Sequence, residues 1–146
     1  KSSIGDSDNY LRWDGTNLSF SGELVGITAG DFLEYNDPTE RFSSGFPAWT
    51  KITAALIGRS GVFRIKYDGK SGSGGSTSTR IYKNGVAHGT THTTSSTTYA
   101  TYSEDLAFDA GDEVQIYGLN AVPGTVYEKN FKISTNNPLF TIQVYP

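Results

Sequence analysis

Five carboxylates crowd the stretch YSEDLAFDAGDEVQIYG: Glu104, Asp105, Asp109, Asp112 and Glu113. Two carboxyl groups held a few ångströms apart can hydrolyse a glycosidic bond, one as acid and the other as base or nucleophile. Here they flank the turn at Ala110-Gly111-Asp112, where acids commonly accept backbone amides or hydrate the loop. The structural reading is preferred, and no catalytic residue is assigned. His88 and His92 are the only histidines. On one extended strand they would share a face about 13 Å apart, too far for one metal ion with bonds of about 2 Å. A three-fold assembly could gather one histidine per chain at its axis, but ordinary surface histidines are the simpler reading. No metal and no cofactor is expected.

Other motifs fail on spacing. GRSG (Gly58 to Gly61) lacks the five-residue Gly-x-Ser-x-Gly frame of a nucleophile elbow. GKS at Gly69 to Ser71 lacks the earlier glycine of a phosphate loop, Arg64 standing in its place. DSDN at Asp6 to Asn9 opens like a calcium loop, but Tyr10 occupies a ligand position and Leu11 the turn glycine. Aromatic rings remain. Their flat faces stack on sugar rings and tyrosine hydroxyls bond to sugar edges. Tyr35, Tyr99, Tyr102 and Tyr117 are the candidate ligand contacts, with core packing as the alternative for each. Tyr99 and Tyr102 fall on opposite faces of YATY.

The elements that must carry these residues are strands. Gly, Ser and Thr make up about 50 of the 146 residues, far above ordinary usage, and no window shows a 3.6-residue apolar period. Period-two rows recur instead: Leu18, Phe20 and Leu24; Ile52, Ala54 and Leu56; Phe63, Ile65 and Tyr67; Phe131 and Ile133; Phe140, Ile142 and Val144. Each is what one face of a sheet buries. Asp14-Gly15 and Asn84-Gly85 are hairpin dipeptides, since both central turn positions need positive φ. The spacing predicts ten to twelve strands and an all-β, jelly-roll-like antiparallel β-sandwich. The head spans residues 41–146, and an N-terminal β-ribbon or collar segment spans 1–40. GKSGSGGSTST (Gly69 to Thr79) reads as a flexible loop. THTTSSTTYAT reads as a loop entering a strand near Tyr99, with an exposed edge strand as the alternative.

Bulk properties exclude several classes. Cysteine is absent, which removes disulfides and thiolate chemistry. A net charge of −3, with basic residues scattered along the chain, argues against nucleic acid. The longest apolar run is Ala54 to Ile57, far short of the roughly 20 residues of a membrane-spanning helix, and no membrane insertion is expected. Met is absent and Lys1 comes first, so the chain reads as a piece of a longer protein.

Two stretches resemble known families. IGDSDNYLRWDGTNLSFSGEL, through Asn9, Tyr10, Leu11, Trp13, Asp14, Gly15 and Leu18, is similar to tail-fibre and tail-tip segments of tailed bacteriophages. There such a ribbon packs across the chains of a trimer. RIYKNGVAHGT with YSEDLAFDAGDEVQIYG resembles jelly-roll domains of phage receptor-binding proteins and of other viral and carbohydrate-binding sandwiches. The resemblance implies a non-enzymatic virion tail domain, acting extracellularly as a homotrimer with other tail proteins and attaching to a host-surface glycan through several weak contacts. It implies oligomer contacts at Trp13, Leu18 and Phe20, because a lone hairpin is marginal in water; the alternative is a ribbon folded onto its own sandwich as an extra edge hairpin. The alternatives are a carbohydrate-binding module of a secreted bacterial enzyme and a purely structural virion part. A glycosidase comes last.

Overall fold

In the computed structural model, residues 32–135 are described in full. Before them stands the backbone of three strands, β1 (Ser2–Gly5), β2 (Tyr10–Trp13) and β3 (Leu18–Ser21). The chain divides into two compact units, Lys1–Thr28 with Asn137–Pro146, and Ala29–Asn136. In the first, β1, β2 and β3 form an antiparallel sheet in that order. Trp13 lies opposite Leu18 and Leu11 opposite Phe20. The expected ribbon is therefore a hairpin with one further strand. The side chains of Trp13, Leu18 and Phe20, the Asp14-Gly15 turn and the Phe140–Val144 row lie outside the described residues.

The second unit contains β4 (Phe32–Asp37), β5 (Arg41–Ser43), β6 (Thr50–Leu56), β7 (Gly61–Ser71) and β8 (Thr77–Lys83). It continues with β9 (Val86–Ala87), β10 (His92–Thr94), β11 (Ala100–Phe108), β12 (Glu113–Asn120) and β13 (Val126–Thr135). Sheet I runs β10-β8-β12-β6, with β9 also on β8. Sheet II runs β11-β7-β13-β4, with β5 also on β13. From β6 to β13 the chain passes repeatedly from one sheet to the other, as in a jelly roll. The fold is an all-β antiparallel sandwich, as its alternation predicts. Phe32–Asp37, which the sequence reading placed in the connecting segment, pairs with β13.

The interior is legible strand by strand. Phe63, Ile65 and Tyr67 of β7 face Ile81, Val114 and Ile116 of sheet I, and all six are fully buried or nearly so. Phe131 and Ile133 complete this apolar end. Burying each such side chain contributes about 1.5–3 kcal/mol. Tyr67 spans the two sheets, its hydroxyl donating to Thr79 Oγ1 at 2.9 Å. The other end is polar: Ser43, Ser71, Thr77, Asn120 and Glu128 are buried there.

Three expectations need correction. Thr53 and Ala55 of β6 face inward, pairing with Ile116 and Val114, and buried Ile57 follows the strand. Only Ile52 of the expected row also reaches the interior, where a register shift turns it toward Gly118 and Val126. Leu56 is 76% exposed. The supposed loop Gly69 to Thr79 is mostly strand, β7 extending to Ser71 and β8 starting at Thr77. Ser71, Thr77, Ser78 and Thr79 are held in strand ladders, which polarity alone does not reveal, while residues 72–76 form the loop. His88 and His92 do not share a strand, because β9 ends at Ala87 and β10 begins at His92.

Candidate functional site

Strand alternation decides which rings face outward. On β8 and β12, Ile81 and Ile116 point into the core directly opposite one another. Their neighbours Tyr82 and Tyr117 therefore stand on the outer face of sheet I. These two rings stack with centroids 4.0 Å apart and 17° between planes. Trp49, just before β6, lies against Tyr82 at 6.0 Å and 50°. The result is a half-buried aromatic ridge of three rings. Lys51 lies opposite Tyr117 in the ladder and reaches Glu113 at 3.4 Å. Arg80, opposite Tyr117 on the other side, donates through Nε to the Gly89 carbonyl at 2.7 Å. Lys51 also borders a groove of about 420 Å³ with Phe42, Gly45, Phe46 and Thr50. Phe46 is 47% exposed at its mouth.

The turn after Tyr82 is fixed by the carboxylates that first suggested catalysis. Asn84 and Gly85 have φ of 51° and 81°, the left-handed pair that a tight hairpin needs. Asn84 Nδ2 donates to Asp112 at 2.7 Å, and its Oδ1 accepts the Glu113 amide at 2.8 Å. The Gly85 amide donates to Gln115 Oε1 at 2.8 Å, and Gln115 Nε2 donates to Glu113 at 2.8 Å. Lys83 pairs with Asp112 at 2.6 Å and Asp109 at 3.4 Å. The Lys83 hydrogen bond, aided by the Asp109 amide, holds the Asp112 carboxyl down at about 2.

The remaining carboxylates also have structural partners. Asp105 forms a two-pronged pair with Arg64, both contacts at 2.7 Å, and that hydrogen bonding lowers its pKa. Glu104 accepts the Thr90 amide at 2.9 Å and contacts His92 Nε2 at 3.1 Å. His92 stacks on Tyr102 at 4.4 Å, while His88 meets the Ala107 carbonyl at 3.0 Å. No three His, Asp or Glu side chains among the described residues converge on a metal site.

The four candidate tyrosines are scattered. Tyr117 belongs to the ridge. Tyr102 faces inward, opposite Tyr67 in the ladder, with ring centroids 5.5 Å apart. Tyr35 packs edge-on against Phe131 at 5.5 Å, and its hydroxyl donates to Asp37 at 3.3 Å. Tyr99 lies on the outer face of sheet II beneath Lys70 and Lys129, its hydroxyl donating to Glu40. Burial and the Glu40 contact raise its pKa. Sequence reasoning missed Trp49, Tyr82, Phe42 and Tyr127. The available signal was the alternation of Tyr82 with Ile81, since one face of a half-buried strand must look outward.

Compared with known proteins, the chain matches no family profile and no curated protein sequence. Solved structures with some likeness include Arthrobacter globiformis T6 isomalto-dextranase complexed with panose, at 16% identity and a TM-score of 0.45. That match covers 69% of this chain and 20% of the other, so the chain spans a fifth of that protein's length. The C-terminal domain of EclA, a sugar-binding protein, is 11% identical over 74% of each chain, with a TM-score of 0.45. A carbohydrate-binding module of Cellvibrio mixtus lichenase 5A in complex with cellotriose is 18% identical, with a TM-score of 0.40. It is covered over 97% of its length by 75% of this chain.

Proposed function

We propose that this chain is a carbohydrate-binding domain that holds a glycan without cleaving it. The observation that carries the reading is the contiguous Trp49–Tyr82–Tyr117 ridge on the outer face of sheet I. Indole and phenol rings offer apolar surface to sugar C–H groups, and the phenol hydroxyls offer hydrogen bonds to sugar edges. Lys51 and Arg80 border the ridge as further donors. The carboxylates of the β11–β12 region are committed to Arg64, Lys83, Asn84 and backbone amides, which supports binding over hydrolysis. Titration calorimetry against a panel of neutral polysaccharides tests the reading. The wild-type chain should bind at least one, and Trp49→Ala and Tyr82→Ala should each weaken binding by roughly tenfold, given about 1 kcal/mol or more for a stacked aromatic contact. No binding by the wild type, or unchanged binding in both variants with native melting temperatures, would sink it.

Carriage on a phage tail fibre is the second reading. It rests on the resemblance of the Asn9–Leu18 ribbon. Light scattering separates the two: a trimer that becomes a monomer when the chain starts near Gly30 supports the fibre. A monomer in both cases leaves a binding module detached from any virion role.

A further inference from the structure

The outer face of sheet II carries a second set of rings, organised around cations. Phe42 of β5, Tyr127 of β13 and Lys70 of β7 lie directly opposite one another in a row across three strands. The row is about 10 Å long at ordinary strand spacing. Phe42 is 64% exposed and lies 5.8 Å from the Tyr127 ring. Lys70 Nζ sits 4.4 Å from the centroid of Tyr99 and 5.0 Å from that of Tyr127. Lys129 Nζ sits 4.1 Å from the Tyr99 centroid. A ring face attracts an ammonium group without neutralising it. Among the described residues neither lysine reaches a carboxylate at ion-pair distance. Both charges are thus held in place and remain available to an anion.

The wider face is cationic in a chain whose net charge is −3. Besides the self-neutralised Arg64–Asp105 pair, it gathers Lys66, Lys70, Lys129 and Lys132 against Asp68 and Glu40. Lys66 and Lys132 are direct cross-strand neighbours. Asp68 accepts Thr101 Oγ1 and Asn130 Nδ2, each at 2.6 Å. The sequence scatters these lysines; the pleat brings them together.

We infer that this face is a second binding site, specific for an acidic polysaccharide of the polyuronate class. A polyuronate repeats an apolar C–H face and a carboxylate along its chain, which matches a row with an exposed Phe42 at one end and ring-held ammonium groups at the other. A duplex nucleic acid brings one charge per about 1.7 Å and is poorly matched to lysines interspersed with Asp68 and Glu40. Phe42 and Lys51 line one groove, but the lysines that define this site lie away from the ridge on sheet I. The inference stands whether or not that ridge binds neutral sugar.

Affinity electrophoresis of the full 146-residue chain through gels containing polygalacturonate, dextran sulfate, neutral dextran or duplex DNA tests the inference. Polygalacturonate should retard the wild type, with retardation falling as salt rises. The Lys70→Ala/Lys129→Ala double variant should lose roughly tenfold or more in affinity, Lys70→Arg/Lys129→Arg should recover most of it, and Trp49→Ala should leave it unchanged. Binding of neutral dextran alone would overturn this site while leaving the sheet I reading intact. Equal retardation by polygalacturonate, dextran sulfate and DNA would show a generic polyanion surface and overturn the specificity. No retardation by polygalacturonate, or retardation that the double variant keeps, would overturn the site itself.

Discussion

The two outer faces of the sandwich order their aromatic rings by different means. On sheet I a ring is held by other rings: Tyr82 lies between Trp49 and Tyr117. On sheet II a ring is held by charges: Tyr99 lies under Lys70 and Lys129, and Tyr127 under Lys70 as well. Stacked rings present hydrocarbon and hydroxyl to solvent, whereas cation-capped rings present positive charge. One scaffold thus offers two surfaces of opposite chemical taste, and salt concentration should separate them, because only the second depends on Coulomb attraction.

The largest effect should come from the core both faces share. Phe131 is fully buried at the apolar end, and Phe131→Ala should cost about 3–5 kcal/mol. Chemical denaturation should show the loss, and binding on both faces should fail together. Survival of one face alone would mean that the sheets do not fold as a unit.

A subtler effect should come from Glu128, which is fully buried with neither carboxylate oxygen hydrogen-bonded. Burial pushes its pKa up from 4.5 to about 8, with Arg41 opposing and Asp37 and Asp68 assisting. The folded state therefore keeps a proton that the unfolded chain releases. The stability contributed by Glu128 should be complete below the ordinary carboxylate range and be lost as pH rises through it toward about 8. Glu128→Gln should flatten that slope in melting experiments between pH 5 and 9. A slope unchanged in the variant would assign it to other groups.

The smallest effect should be confined to sheet I. Gly85 has φ of 81° with open space where a side chain would go, so Gly85→Ala meets backbone strain alone, about 1–2 kcal/mol. Neutral-sugar binding should weaken a few-fold as the Tyr82 arm loosens. Polygalacturonate binding on the other face should not change, and a parallel loss there would dissolve the distinction between the faces.

Much of the scaffold was readable because β7 alternates without ambiguity, large apolar residues at Phe63, Ile65 and Tyr67 against Arg64 and Lys66. The Asn84-Gly85 turn was readable because few dipeptides tolerate its backbone. β6 was misread because Ala54 and Ala55 are small and apolar on both faces, leaving Leu56 to tip the choice the wrong way. Tyr127 and Lys129 of sheet II were hidden by a bulge. Counting back by twos from the buried Phe131 puts Lys129 and Tyr127 inside. Asn130, at φ 55°, adds a residue where the ladder shifts between Lys129 and Lys132. That insertion turns Glu128 inward and both Tyr127 and Lys129 outward. Trp49 was missed because it precedes its strand and belongs to no alternating row.

The polar end of the interior also bears on how this domain responds to temperature. Unfolding releases Ser43, Ser71, Thr77, Asn120 and Glu128 alongside the aliphatic cluster, and exposed polar surface lowers the heat capacity that apolar surface raises. The heat-capacity increment should fall below that of an equally large sandwich with a wholly apolar filling. Its stability curve should be correspondingly broad, and the two outer faces should keep their geometry across a wider span of temperatures than the modest core would suggest.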